Sequence, residues 1–155
     1  MGGSFFQRGG AWVVAQFALM GAVAGLAAVL RGPPPPAVVW VIAAVLLLAG
    51  SILGVAGALA LRASCTPLPK PRPGAQLIQS GIYAHIRHPL YTSVMLLGLG
   101  WAVLWRSWPA LVVALTLIPF FHAKARREER WLTKKFAGYS DYARRVPRFW
   151  PRLRR

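Results

Sequence analysis

A chain of 155 residues that is 56% apolar, with 19 Lys and Arg against three acids and a formal charge of +16, suits one domain and is too apolar for an ordinary basic soluble protein. Its charge sits between and after long apolar runs, which points to an anionic bilayer surface as partner and away from nucleic acid. A single cysteine, Cys65, excludes an intrachain disulfide.

Residues 1–10 are short and Gly-rich. No cleavable signal pattern marks the first apolar run, so it is read as a retained span. Ala11 to Leu30 is 20 residues with no charge and one amide, Gln16, a length that matches a bilayer crossing. Gly21 and Gly25 predict a packing seam on it. Arg31 to Pro36, with four consecutive prolines, predicts a stiff extended connector. Ala37 to Leu61 is the second crossing, 25 uncharged residues, with Gly50, Gly54 and Gly57 placed for tight helix contact. Arg62 to Ser80, with Pro67, Pro69, Pro71 and Pro73, predicts a non-helical loop that ends in a strand-like piece or a single turn.

The third and fourth spans are expected at 89–105 and 108–123. Arg106-Ser107 leaves room only for a tight helical hairpin, with Trp101, Trp105 and Trp108 near the far interface. Pro119 predicts a kink, and residues 122–136 favour a helical extension beyond the bilayer. From Lys124 to Arg155 the chain carries 12 Lys or Arg. With both termini cytoplasmic, 17 basic residues fall on that side and two, Arg31 and Arg106, on the other. The expected fold is an all-α integral membrane protein: one domain over 1–155, four transmembrane helices, the last two a hairpin, and a cytoplasmic C-terminal extension over 124–155 whose basic residues meet anionic headgroups.

One stretch, Gly81 to Tyr91, crowds Tyr83, His85, Arg87, His88 and Tyr91 beside an apolar run. Pro89 suits a first helical turn. The amides of Leu90, Tyr91 and Thr92 are then expected to be free donors, which together with Arg87 and His88 favour an anion. The same residues also suit a plain interface anchor. A hairpin would bring them beside Lys124 to Glu129, where two of the three acids lie. There Lys124 and Glu128 read either as an exposed i,i+4 ion pair, worth about 0.3–0.5 kcal/mol, or as ligand-binding groups. His85, His88 and His122 lack a carboxylate or thiolate set to complete a metal site. Asp141 is too remote for a Ser-His-Asp arrangement.

Taken together, Gly81-Ile82-Tyr83, Arg87-His88-Pro89-Leu90-Tyr91, Glu128-Glu129 followed by Leu132, then Phe136, Tyr139, Tyr142 and Val146-Pro147-Arg148-Phe149-Trp150-Pro151 resemble the isoprenylcysteine carboxyl methyltransferase family and the related membrane phospholipid methyltransferases, in their bacterial form. The likeness covers 75–151. It implies an S-adenosyl-L-methionine-dependent enzyme that methylates a lipophilic acceptor (carboxylate, thiol or amine) reached from the bilayer of the cytoplasmic membrane. The alternatives are a phospholipid amine N-methyltransferase and a non-enzymatic scaffold or lipid-binding protein with a basic tail. The cofactor set this gives is Ala75, Gln76, Leu77, Ile78, Tyr83, Arg87, His88, Pro89, Leu90, Tyr91 and Glu128. Lys124 stands where the family carries an acceptor-linked Arg, and Lys124 and Arg127 are assigned to acceptor positioning. No metal is implied.

Overall fold

The computed structural model describes residues 9–61 and 76–151. Arg8, Cys65, Ala75 and most of the Arg62–Ser80 loop lie outside them. Among the described residues the chain forms five α-helices and no strand: α1 (Gly10–Val29), α2 (Ala37–Leu61), α3 (Pro89–Leu104), α4 (Trp108–Lys135) and α5 (Tyr139–Arg145). Residues 76–79 are extended and lead into a single 3-10 turn, Gly81–Ala84, the second of the two forms expected for the end of the loop.

The helices α1, α2 and α4 are each long and apolar enough to cross a membrane, and α3 adds a shorter apolar helix of 16 residues. α3 is central: it packs on α2, α4 and α1, while α1 lies mainly along α4. One side of α2 is left as bare hydrocarbon, with Val41, Val45, Leu48, Ile52 and Leu59 all exposed. In water such a stripe would be costly, but in lipid it is the ordinary exterior of a span.

The α2–α3 seam is built on glycine. A Cβ on Gly50 would lie 2.9 Å from Leu97 Cγ, one on Gly54 would lie 2.6 Å from Ser93 Oγ, and one on Gly57 would lie 3.1 Å from Leu90 Cδ2. Close approach also lets Ser93 Oγ donate to the Gly50 carbonyl at 2.6 Å, which satisfies a buried hydroxyl. The seam predicted at Gly21 and Gly25 is not there: nothing lies within 4 Å of a Cβ at either. The buried face of α1 runs instead through Val13, Gln16, Val23 and Ala27, and the two glycines fall off it.

At the far end of the bundle, Ser107 caps α4 through Ala110 N–H, and its hydroxyl donates to the Leu26 carbonyl. Arg106 reaches the carbonyls of Pro33 and Pro34, and Arg31 lies over the Trp105 ring at 5.1 Å. The break between α3 and α4 thus grips the proline connector between α1 and α2. At the near end, α4 runs on through Pro119 and past Ala123 to Lys135, so residues 124–135 are helix rather than tail. A second apolar cluster of Tyr139, Tyr142 and Val146, with Leu77, Leu132 and Phe136 against it, then folds the following segment back over the start of α3.

Candidate functional site

Pro89 opens α3 at its first turn, as its fixed φ and missing N–H favour. The amides behind it are not all free. Tyr91 and Thr92 N–H both return to the His88 carbonyl at 3.1 Å. The expected open anion corner is closed in a second way, because its two bases already hold an internal anion. Glu129 lies 3.1 Å from His88 Nε2 and 3.2 Å from Arg87 Nη1, and it also receives Arg148 Nε at 3.0 Å. A second Arg148 nitrogen bonds its other oxygen, so the Arg148–Glu129 pair is two-pronged.

This cluster fixes charge states. Burial opposes ionisation of Glu129, but hydrogen bonds from His88 and Arg148 and the charges of His88 and Arg87 outweigh it and hold the carboxyl at about 2. The Arg148 guanidinium is pushed up, chiefly by its hydrogen bonds to Glu129. Burial first, then the Glu129 charge, pushes the Tyr139 hydroxyl well above its usual range. Glu129 sits on the part of α4 that projects beyond the apolar span.

The neighbouring acid faces elsewhere. Glu128 accepts a 2.7 Å hydrogen bond from Tyr91 Oη and keeps the rest of its lone pairs. The Tyr91 ring is stacked on His88 at 5.2 Å and on Phe121 at 4.8 Å. Lys124 turns inward and does not close the i,i+4 pair with Glu128. Its side chain is fully buried, Nζ donates to Gln16 Oε1, and it lies 5.0 Å from the centre of the Tyr91 ring.

The C-terminal segment covers the site through its backbone. Arg87 N–H donates to the Pro147 carbonyl and His88 N–H to the Arg148 carbonyl, both at 3.0 Å. Thr92 Oγ1 donates to the Phe149 carbonyl at 3.0 Å, and Tyr142 Oη to the Tyr83 carbonyl at 2.7 Å. Phe149 packs its ring against both His88 and His122.

Of the residues singled out from sequence, Tyr83, Arg87, His88, Tyr91, Lys124 and Glu128 come together here. Pro89 and Leu90 turn their side chains to Gly57 of α2. Leu77 packs against the Tyr139–Tyr142–Val146 cluster, and Gln76 is exposed. Arg127 points outward, its guanidinium over the Trp131 ring at 5.1 Å, so the structure does not bring it to the site. Glu129, Arg148 and Gln16 belong to the arrangement and were not assigned to it from sequence. Among the described residues no group of three or more His, Cys, Asp or Glu side chains could hold a metal ion.

A family model described as phospholipid methyltransferase matches residues 38–138. The chain is 37% identical over 116 residues to the nickel-cobalt-cadmium resistance protein NccN of Alcaligenes xylosoxydans xylosoxydans, across 74% of this chain and 53% of that protein. It is 38% identical over 109 residues to the cobalt-zinc-cadmium resistance protein CzcN of Cupriavidus metallidurans, across 70% of this chain and 50% of that protein. It is also 34% identical over 73 residues to the protein-S-isoprenylcysteine O-methyltransferase of Schizosaccharomyces pombe, across 46% of this chain and 31% of that enzyme. The chain spans about half the length of the first two.

Proposed function

Because the chain belongs to the phospholipid methyltransferase family, and is a membrane protein by its apolar helices, we propose that it is an S-adenosyl-L-methionine-dependent methyltransferase acting on a lipophilic acceptor. The observation that carries this reading is the meeting of Tyr91, Glu128 and Lys124 at the edge of the apolar bundle, under a backbone cover made by residues 147–149. When bound, the cofactor supplies an electrophilic methyl on a sulfonium.

The donor set suits such a molecule. Glu128 has free lone pairs for ribose hydroxyls or an ammonium. Arg87 Nε and the Tyr139 hydroxyl are buried with no hydrogen-bond partner among the described residues, two donors that suit the acceptor atoms of a ligand. Tyr83, His88 and Tyr91 offer ring surface and polar edges beside them. In this reading Arg87, His88 and Arg148 act through Glu129: they hold α4 against the start of α3 and so fix where Glu128 points. Covering by residues 147–149 excludes water, and placing the acceptor head beside the methyl supplies most of the rate.

We read α3 and α4 as a helical hairpin and α3 as a fourth span. Both termini are assigned to the cytoplasmic face of an inner membrane, and the basic residues after Lys124 to anionic headgroups. The cofactor then enters from the cytoplasm and the acceptor from the bilayer. Calorimetric titration of S-adenosylhomocysteine into the detergent-purified protein tests the function: saturable binding is expected, and its absence removes the reading. A reporter fused after Arg155 tests the orientation, with a cytoplasmic signal expected.

A further inference from the structure

The cofactor reading leaves one buried polar pair unused. Lys124 is completely buried and donates to Gln16 Oε1; the rest of its surroundings are the Tyr91 and Phe121 rings, with Nζ 5.0 and 5.9 Å from their centres. Among the described residues no carboxylate comes within ion-pair distance of it; Glu128, one turn along α4, is hydrogen-bonded by Tyr91. Gln16 is the one amide, and the one hydrogen-bonding side chain besides the Trp12 indole, in the 20 residues of α1. It is itself buried, and its amide nitrogen has only a long contact to the Met20 thioether at 3.9 Å. A cation and an amide do not persist in an apolar bundle without a use, because desolvating the ammonium is expensive and ring faces offset only part of it.

Met20 joins this pair to a cavity. About 240 Å³ of open space lies between α1 and α2 with α3 as its floor, lined by Met20, Val23, Leu47, Val94, Gly98 and Leu117. The lining is almost wholly apolar, and it lies deeper along the same helices: one turn from Gln16 to Met20, and two turns from Lys124 to Leu117. An apolar chamber that ends at a buried ammonium has the form of a receptor for a molecule with a hydrocarbon tail and an anionic head.

We propose that Gln16 and Lys124 receive the head of the methyl acceptor and that the acceptor is a lipophilic acid, a carboxylic acid or thiol bound as its anion, with its tail in the Met20–Leu117 cavity. The proposal rests on the methyltransferase reading and deepens it. An anion supplies the countercharge that Lys124 lacks, and the Gln16 amide N–H adds a donor. An amine brings a second positive charge at neutral pH and meets repulsion in a dry site. A methyl ester or thioether is neutral, so the product loses the attraction that held the acceptor. Gln16 lies on α1, outside residues 38–138 that match the family, so this chain adds the residue from its own first helix.

The test is equilibrium binding of radiolabelled dodecanoate and dodecylamine at pH 7 to the full chain in phosphatidylcholine nanodiscs, with empty discs subtracted. Dodecanoate should bind saturably and at least tenfold more tightly than dodecylamine. Lys124→Met should abolish the preference, and Gln16→Leu should weaken dodecanoate at least fivefold with S-adenosylhomocysteine affinity kept within twofold. Equal affinity for the two probes, tighter binding of the amine, or a preference that survives Lys124→Met overturns the proposal, and unchanged acid binding in Gln16→Leu removes Gln16 from it. If Lys124→Met does not fold, the wild-type comparison and Gln16→Leu decide. S-adenosylhomocysteine titrated into the same wild-type discs separates the two levels. If it binds while the acid preference is missing, this proposal alone falls; if it does not bind, the methyltransferase reading falls and takes the acceptor assignment with it.

Discussion

Tyr91 and Glu128 stand 37 positions apart and are joined by a 2.7 Å hydrogen bond from the phenol to the carboxylate. The contact ties the first turn of α3 to α4 just beyond its apolar part, and it aims the one acid of the site that Arg87 and Arg148 do not hold. The two residues therefore act as one unit in ligand binding.

Glu128→Gln should weaken S-adenosylhomocysteine binding by roughly ten- to a hundredfold, the usual loss for a charge-assisted hydrogen bond of about 1.5–3 kcal/mol. Tyr91→Phe keeps the ring stack and frees the carboxylate, so its loss should be smaller. The double variant should bind no worse than Glu128→Gln alone, since both changes remove the same aimed group. Calorimetric affinities of the four proteins decide this; strict additivity would separate the two residues.

Glu129 governs stability in acid. Its carboxyl is held at about 2 against an ordinary value near 4.5, so the stabilisation is complete above pH 4.5 and lost as pH falls toward 2. The shift corresponds to on the order of 3 kcal/mol, and the chain has three acids, so few other groups blur the signal. Thermal melts in detergent should drop steeply between pH 5 and 3 for the native chain. Glu129→Gln should start lower and show a much flatter profile.

The α2–α3 seam has no room for a methyl at position 54, where a Cβ would stand 2.6 Å from Ser93 Oγ. Gly54→Ala should lower stability by roughly 1–3 kcal/mol through overpacking. Adding Ser93→Ala should restore part of it, because the clashing atom is that hydroxyl. Melting temperatures of the single and double variants show whether the rescue occurs.

Arg127 and Lys124 are three residues apart and should behave in opposite ways. Arg127 lies on an exposed face over Trp131, so Arg127→Ala should leave S-adenosylhomocysteine and dodecanoate binding within twofold. Lys124→Met should leave the first near normal and remove the second.

Much of the molecule was legible in the residues. Apolar run lengths gave all four apolar helices within one or two positions, because burial in lipid needs a fixed length of chain. The glycine row on α2 pointed to the α3 contact, yet the same spacing at Gly21 and Gly25 pointed to nothing; small residues permit a seam, but which face meets a neighbour depends on the whole bundle. The acidic pair was legible as a site, but not the division of labour within it. Adjacent helix residues point about 100° apart, and only the placement of Arg148 from the C-terminal segment decides that Glu129 is the structural acid. Gln16 stood out as the lone amide of its span, but its partner is 108 positions away and no local pattern records that.

The cover over the site has a consequence for biosynthesis. Arg87, His88 and Thr92 make their hydrogen bonds to residues 147–149, and the Thr92 to Phe149 bond alone closes a gap of 57 positions. Translation delivers the helical bundle first and the covering strand of carbonyls last, and a separation of that size must be closed against its loop entropy. Insertion into the membrane and maturation of the site are thus two successive events. A nascent or truncated chain can sit correctly in the bilayer with the amides of residues 87 and 88 still bonded to water, and it becomes a recognisable target for quality control only through that unfinished edge.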